Sequence, residues 1–495
     1  EQVSRDLSKS HRPWRAPWRR SQSRGWIGGR PLAGIGFRLR EIVTRKTFTE
    51  WIQLYLYAAI IFAGPWIFSI MAIAGLSVFA LPALQEDVGL FTVTVVYCYA
   101  FSLVTTGIIQ LPATRYVADR LYSRDGDSVV PSFVGIVVFI APVQALTAAT
   151  FLAFCSVSLP FKVAAMGLYV VISVIWIAMI YLSAAKDYTS LVLGFFVGYL
   201  VSFGLGLWFS ELRGIEGALS GFLAGQSLLC FWLIWRIFEE FPNRRPFNLD
   251  FTVTFRQYPH LAWAGLFYSL AIWIDKFLFW YSPYPEGGIR IESLFFTHFP
   301  YDSAIFFAYL SVIPALALYL VRVETEFYTK YKAYFGGILN KETLSRIMER
   351  RKEMIETLRR NLVSVIVYQG AFTLTIIVLL PWMLDISGIS MDYLPIFRVA
   401  CVAAFFQVIL LMLLVVLLYY DFRSSVMWLS AAFLVMNGVF TWMTLKYPPS
   451  FGWGYLAATF FTVLASLAVL WNRVENLEFL TFVQQPIGGE KVVTR

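Results

Sequence analysis

Two adjacent charged residues, Asp275 and Lys276, lie inside an otherwise apolar stretch that reads AIWIDKFLFW over residues 271–280. A charge at the centre of a membrane helix costs about 2.5–3.5 kcal/mol on insertion scales, so such side chains usually face a bundle interior or a wet cavity. There the pair can bind a polar substrate or a coupling proton, and it can equally brace the bundle. Because adjacent residues point about 100° apart on a helix, we expect each charge to find its partner on a different helix.

Further polar and aromatic residues inside apolar segments are candidates for the same site. Arg398, near the start of a later apolar segment, is a candidate partner for Asp275. Trp66 and Trp273 can stack against sugar rings. Buried amides can hydrogen-bond sugar hydroxyls without the cost of a charge, and they can equally join helices to one another. The candidate amides are Gln110, Gln226, Gln369, Gln407 and Asn437.

The chain carries no catalytic signature, so the sequence predicts that it is not an enzyme. The DxD pattern in RDGD, residues 124–127, resembles the metal-binding carboxylates of sugar-nucleotide transferases. Those sites need an α/β domain, and a polar turn explains the pattern here. Neither a P-loop nor a GxSxG or HExxH motif occurs. Four cysteines within apolar segments and three scattered histidines predict neither a metal site nor a cofactor.

The composition predicts that these residues lie in a membrane. Of the 495 residues, 58% are hydrophobic and 14% are charged, whereas soluble domains carry about a quarter charged residues. Apolar runs of about 20 residues recur along the chain, each long enough to cross a bilayer core. The sequence therefore predicts an all-α polytopic membrane protein. The net charge of +9 lies mainly in loops and predicts no nucleic-acid partner.

Twelve transmembrane helices are predicted. If the N-terminus is inside, most Lys and Arg residues fall on the inner side, which predicts a multi-pass protein with both termini cytoplasmic. The longest predicted outer loop covers residues 283–302. The predicted spans cover about residues 54–81, 88–111, 132–158, 163–183, 188–210, 215–237, 261–282, 303–321, 362–384, 395–419, 425–444 and 453–471.

Weak internal similarity predicts a duplicated chain. The Trp-Ile pair at residues 66–67 recurs at residues 273–274, an offset of 207, and many transporters contain such repeats. At this offset Phe68 takes the place of Asp275, so the charged pair belongs to one half only. We predict a basic N-terminal extension with an interfacial helix over 1–53, an N-lobe over 54–240, a cytoplasmic linker over 241–260, a C-lobe over 261–472 and a cytoplasmic tail over 473–495.

One charged segment, residues 322–361, interrupts the predicted C-lobe on its inner face. Apolar residues recur there at helical spacing and predict one apolar stripe; they are Ile347, Met348, Ile355 and Leu358. The segment can rest on lipid headgroups, or it can dock a cytosolic partner. The candidates for such docking are Arg322, Glu324, Arg346, Arg350 and Arg351.

Several short motifs form a joint pattern along residues 33–486. They are AGIGFRLRE at 33–41, GPW at 64–66, TRYVADRLY at 114–122, WIDKFLFW at 273–280, YDSAIFFAYLSVIPA at 301–315, RVETEFY at 322–328 and YYDFR at 419–423. This pattern resembles the PelG-like inner-membrane transporters of the Pel exopolysaccharide system. That family lies within the multidrug/oligosaccharidyl-lipid/polysaccharide exporter (MOP) superfamily. Residues 1–31 precede the similar region, and we expect them to be an added extension.

The resemblance implies two six-helix lobes around a central cavity, lined first by spans one and seven. It implies an amino-sugar polymer that a dedicated cytoplasmic glycosyltransferase makes and that leaves the cell for the biofilm matrix. The implied partners are this polymer, the transferase, other inner-membrane Pel subunits including a cyclic-di-GMP receptor, and the bilayer.

Other functions stay open at the level of the sequence. The same fold can flip a lipid-linked oligosaccharide, although few basic residues lie within the membrane to bind a pyrophosphate. It can also export drugs in exchange for ions, for which Asp275 is suited. A different class of function is a membrane scaffold that assembles the synthase complex, which residues 322–361 would serve.

Overall fold

The computed structural model describes residues 67–84, 87–185, 187–241 and 247–479. This part of the chain is helical apart from one short hairpin. Helices satisfy their own backbone hydrogen bonds, which the bilayer core demands. Nine of the described helices are long and apolar enough to cross a membrane, or up to ten if a bent pair counts as one span. The protein is therefore a multi-pass membrane protein.

The first half of the described chain contains five helices. They are α1 Ile67–Phe79, α2 Val88–Tyr122, α3 Val129–Ala153, α4 Leu159–Ala185 and α5 Tyr188–Glu240, with a helical turn Leu81–Leu84 after α1. Helix α5 is 53 residues long and is kinked at Arg213 and Gly214. Gly214 has a φ of 58°, which glycine adopts without steric cost. The two arms of α5 correspond to predicted spans five and six.

The second half contains ten helices and one hairpin. They are α6 Phe251–Gln257, α7 Pro259–Ala271, α8 Ile274–Trp280, β1 Ile289–Glu292, β2 Phe295–Thr297, α9 Phe299–Ser311, α10 Ile313–Arg322, α11 Tyr328–Leu339, α12 Leu344–Ile386, α13 Leu394–Tyr419, α14 Arg423–Thr444 and α15 Trp453–Glu475. A π-helical turn, Val323–Phe327, joins α10 to α11.

The predicted spans agree with these helices in position but not always in form. Predicted span seven is broken between α7 and α8, whose axes differ by 42°. Predicted span nine is the end of the 43-residue helix α12, so the charged segment runs into the membrane without interruption. The predicted loop 283–302 contains the antiparallel hairpin β1–β2. Because the first span is described only from Ile67 onward, the count of twelve stays a prediction.

Two apolar cores divide the described chain. The N-core is built mainly from α1–α5, and the C-core is built from helices between α7 and α15. Two large side chains cross this division: Trp280 at the end of α8 and Phe295 in β2 are buried in the N-core. The end of the bundle that carries β1–β2 is called the hairpin end. There the second half of the chain reaches into the first.

Helices α2 and α7 approach closely at the boundary between the cores. A Cβ atom on Gly265 would lie 2.3 Å from the carbonyl oxygen of Gly107. A Cβ atom on Gly107 would lie 2.7 Å from the Oγ of Ser269. Small residues permit such backbone contact between membrane helices. The two glycines therefore set the separation of the cores halfway along α2.

The replacement Gly265→Ala should destabilise the protein because its methyl group would overlap a backbone oxygen that cannot turn away. We expect a loss of about 1–3 kcal/mol in the free energy of unfolding, as for other overpacked sites, measured as a lower midpoint of thermal unfolding in detergent. Gly204→Ala is the control, because no atom lies within 4 Å of its added Cβ. Equal midpoints for the two variants would contradict the close contact.

Candidate functional site

The break between α7 and α8 frees backbone carbonyl groups inside the bundle. The side chain of Lys276 donates a hydrogen bond to the carbonyl oxygen of Ile272 (Nζ–O 2.9 Å). The amide of Asn437, on α14, donates to the carbonyl oxygen of Ala271 (2.8 Å). Unpaired carbonyls at a buried helix end are costly. Two of the predicted site residues therefore stabilise the break that positions them.

Asp275 and Lys276 pair with each other inside the C-core. The Nζ of Lys276 lies 3.1 Å from Oδ1 and 3.0 Å from Oδ2 of Asp275. The hydroxyl of Tyr301, on α9, donates to Oδ2 of Asp275 (2.6 Å), and Asn437 lies 3.4 Å from Oδ1. The expectation of partners on other helices is right for Asp275. For Lys276 the expectation is wrong, because its carboxylate partner is the adjacent Asp275, which the two side chains reach by turning toward each other.

Aromatic rings surround the ammonium group of Lys276. Its Nζ lies 5.7, 5.4 and 5.3 Å from the ring centroids of Trp273, Tyr309 and Tyr455. A cation over an aromatic face gains about 2 kcal/mol or more when it is desolvated. Lys276 is 5% exposed and Asp275 is fully buried. The rings therefore replace part of the hydration that the ammonium group has lost.

The polar network extends from this pair across the C-core. Tyr309 and Tyr455 share a hydrogen bond (3.0 Å), and the Tyr455 hydroxyl donates to Oε1 of Gln407 (2.9 Å). The amide of Gln407 then donates to the hydroxyl of Tyr268 (3.1 Å). Buried polar groups that are fully paired favour one arrangement of their helices. In this conformation the network holds α7, α9, α13 and α15 together.

A second carboxylate, Asp302, escaped the sequence analysis. It accepts hydrogen bonds from the indole of Trp280 (Nε1–Oδ2 2.9 Å), the hydroxyl of Thr297 (3.0 Å) and the backbone N–H of His298 (3.0 Å). An acid just before the predicted span 303–321 was an available signal, because acidic residues are favoured near the start of a helix. Burial lowers the pKa of His298, whose neutral ring accepts from the N–H of Tyr301 (3.2 Å).

Aromatic rings join the two cores at the hairpin end. Tyr97 on α2 stacks on Trp280 with ring centroids 4.7 Å apart, and Phe101 stacks on Phe277 at 4.9 Å. The hydroxyl of Tyr97 also accepts a hydrogen bond from the backbone N–H of Phe296 in β2 (3.0 Å). These contacts hold the two cores together at this end.

Charged residues join the cores at the opposite end, which we call the basic end. The Arg115 guanidinium on α2 lies 3.9 Å from Asp421, beyond the end of α13. The Arg423 guanidinium lies 4.2 Å from the ring centroid of Tyr258, and that ring also faces Arg115. Contacts therefore join the cores at both ends of the interface among the described residues. The predicted central cavity stays a prediction, since the charges expected to line it are buried.

Other predicted site residues lie apart from this network. Gln226 donates to the hydroxyl of Ser202 between the arms of α5 (3.0 Å), and Gln110 donates to Thr106 on its own helix (3.1 Å). Gln369 donates to the carbonyl oxygen of Ser311 (2.9 Å). These contacts join or stabilise helices.

Two further candidates do not reach the charged pair in the structure. Arg398 is exposed near the start of α13 and makes no contact with Asp275 among the described residues. Trp66 lies outside the described residues. The structure thus brings together Asp275, Lys276, Trp273, Gln407 and Asn437.

The docking candidates on the charged segment differ in accessibility. Three of them are engaged within the protein: Arg322 with Glu326 (3.1 Å), Arg350 with Glu342 (2.7 Å) and Arg351 with Glu478 (2.8 Å). Arg346 is exposed. The side chain of Glu324 lies outside the described part of the chain.

The predicted apolar stripe on the charged segment is only partly correct. Ile347 and Leu358 are buried, but Met348 is 49% exposed. Adjacent positions on a helix point about 100° apart, so Ile347 and Met348 cannot both face the C-core.

Removal of one charge from the buried pair should destabilise the protein more than removal of both. Asp275→Asn or Lys276→Gln leaves an unpaired buried charge, which typically costs about 3–5 kcal/mol. The double variant leaves neither charge unpaired, so its thermal unfolding midpoint in detergent should lie above those of both single variants. Lys352→Gln is the control, because its pair with Glu356 is exposed. Single variants as stable as this control would contradict the pairing.

Comparison with solved structures shows which fold this arrangement belongs to. One similar structure is a MOP superfamily transporter from Pyrococcus furiosus, with 13% identity and a TM-score of 0.63 over 86% of this chain and 96% of that chain. An outward-facing multidrug resistance MATE family transporter matches with 14% identity and a TM-score of 0.58 over 86% and 96%. The inward-facing form of such a transporter matches with 12% identity and a TM-score of 0.57 over 90% and 98%. The predicted two-lobe all-α fold is confirmed.

Sequence comparison identifies the family. No curated protein matches the chain by sequence. A model of the PelG family, described as an exopolysaccharide exporter (EPS-E), matches residues 32–482. This range includes both cores, the broken helix and the charged pair. The chain belongs to the PelG family of exopolysaccharide exporters and has the fold of MOP superfamily transporters.

Proposed function

We propose that this protein exports a Pel-like amino-sugar exopolysaccharide across the bacterial inner membrane, with both termini in the cytoplasm. The family match over residues 32–482 is the observation that carries the proposal. A cytoplasmic glycosyltransferase would supply the polymer, and the exposed face of α12 around Arg346 would contact it or another inner-membrane Pel subunit. The protein would catalyse no reaction and would need no cofactor.

The polymer would pass between the two lobes, which we place at about residues 54–240 and 261–472. The N-core and the C-core support this division. Their interface is lined by aromatic rings at the hairpin end and by charged residues at the basic end. Because contacts join the lobes at both ends, passage of a polymer would require the lobes to separate there. The buried pair of Asp275 and Lys276 would keep the C-lobe rigid during that movement.

A disulfide across the hairpin end tests this proposal. The backbone N of Ser156, which follows α3, lies 2.7 Å from the Oγ of Ser293 in the hairpin. Each of these atoms lies within two bonds of its Cα atom, so the two Cα atoms are no farther apart than the upper limit of about 6.8 Å for a disulfide. Ser156→Cys with Ser293→Cys, in a Cys155→Ser background, should block polymer secretion when oxidised. Reduction should restore secretion.

The control disulfide joins two helices within one core. The hydroxyl oxygens of Ser77 on α1 and Thr92 on α2 lie 2.9 Å apart, so Ser77→Cys with Thr92→Cys should form without restraining the lobes. Secretion should persist in this variant. A fully formed disulfide between residues 156 and 293 with normal secretion would contradict passage between the lobes, and it is the result that a pure scaffold would give.

A further inference from the structure

Five aromatic residues form what we call the aromatic ladder at the hairpin end. Trp273 directly precedes α8, Phe277 and Trp280 lie in its middle and at its end, and Phe101 and Tyr97 on α2 stack on these last two rings. Spacings of three and four residues place side chains on one helix face. Successive rings on α8 are therefore separated by about 4.5–6 Å along its axis.

The rings of the ladder meet face to face across the lobe interface. The planes of Tyr97 and Trp280 differ by 11°, and those of Phe101 and Phe277 by 6°. Within the N-core, by contrast, Phe91 and Phe222 meet edge to face at 82°. Separation of the lobes would therefore expose flat ring faces on both sides of one gap.

Polar groups border these flat faces. The Asp302 carboxylate accepts from the indole of Trp280, and the Tyr97 hydroxyl contacts both the backbone of Phe296 and the hydroxyl of Tyr281 (3.2 Å). A pyranose ring has the complementary chemistry, with apolar C–H groups on its faces and hydroxyl or amino groups at its rim. Aromatic side chains with a polar neighbour bind such amphipathic surfaces.

We propose that the aromatic ladder is a binding site for successive pyranose rings of the exported polymer, which replace the ring–ring stacking as the lobes separate. This inference rests on the proposed function and locates where the polymer contacts the protein. Each sugar ring takes the place of an aromatic partner, so the rings keep a stacking partner in the closed and the open states. The Tyr97 and Tyr281 hydroxyls provide polar groups at the rim for a sugar hydroxyl or amino group.

The test distinguishes sugar binding that depends on flat aromatic faces from binding that depends only on the volume of apolar side chains. Phe101→Leu with Phe277→Leu keeps an apolar side chain at both positions and removes the flat faces, whereas Phe101→Tyr with Phe277→Tyr keeps the faces. Binding of an N-acetylglucosamine hexasaccharide to purified, folded protein is measured by calorimetry, and polymer secretion is measured in cells. The Leu variant should bind about tenfold more weakly than wild type and secrete less, and the Tyr variant should retain both properties.

Two controls make the result decisive. Phe222→Leu removes a ring inside the N-core and should leave binding unchanged. The oxidised disulfide between residues 156 and 293 keeps the ladder closed, so it should abolish hexasaccharide binding until it is reduced. Equal binding by the Leu variant and wild type, or no binding by wild type, would overturn the proposal that the ladder binds sugar rings. Unchanged secretion after deletion of the whole protein would instead overturn the proposed function.

Discussion

The burial of a carboxylate and an ammonium group inside a membrane bundle is the constraint on which the C-lobe depends. Neither Asp275 nor Lys276 can stay charged there without close partners. The break before α8 supplies part of the solution, since it gives the ammonium group a free carbonyl oxygen at Ile272. Tyr301 and Asn437 complete the pairing from two other helices. The pair and the break therefore require each other.

The first turn of α9 connects this buried pair to the lobe interface. Tyr301 binds Asp275, and the next residue, Asp302, binds Trp280, which stacks on the opposite lobe. A displacement of this turn would disturb both contacts at once. Packed interiors and polar networks shift between discrete arrangements rather than deforming smoothly. A shift of the first turn of α9 would therefore change the contacts inside the C-lobe and the contacts at the hairpin end together.

The sequence predicted the helical segments well because hydropathy and helix length are local properties. It also identified the charged pair and the amides of Gln407 and Asn437, which the structure brings together. It missed the bend before α8, which contains neither proline nor glycine and follows from side chains that satisfy its carbonyl groups. The role of Asp302 and the entry of Phe295 into the N-core depend on partners far away in the sequence, which hydropathy does not reveal.

The contact between Gly107 on α2 and Gly265 on α7 lies near the middle of α2, so the helix extends in both directions from this point. At 1.5 Å per residue, Tyr97 lies about 15 Å from Gly107 along the helix axis, and Arg115 lies about 12 Å on the other side. If the lobes rotated as rigid bodies about this contact, one end of the interface would widen and the other end would be compressed. A pore open to both sides at once would have to pull Gly107 and Gly265 apart. If the lobes rock in this way, the contact of the two glycines would keep the interface closed at its middle in both positions.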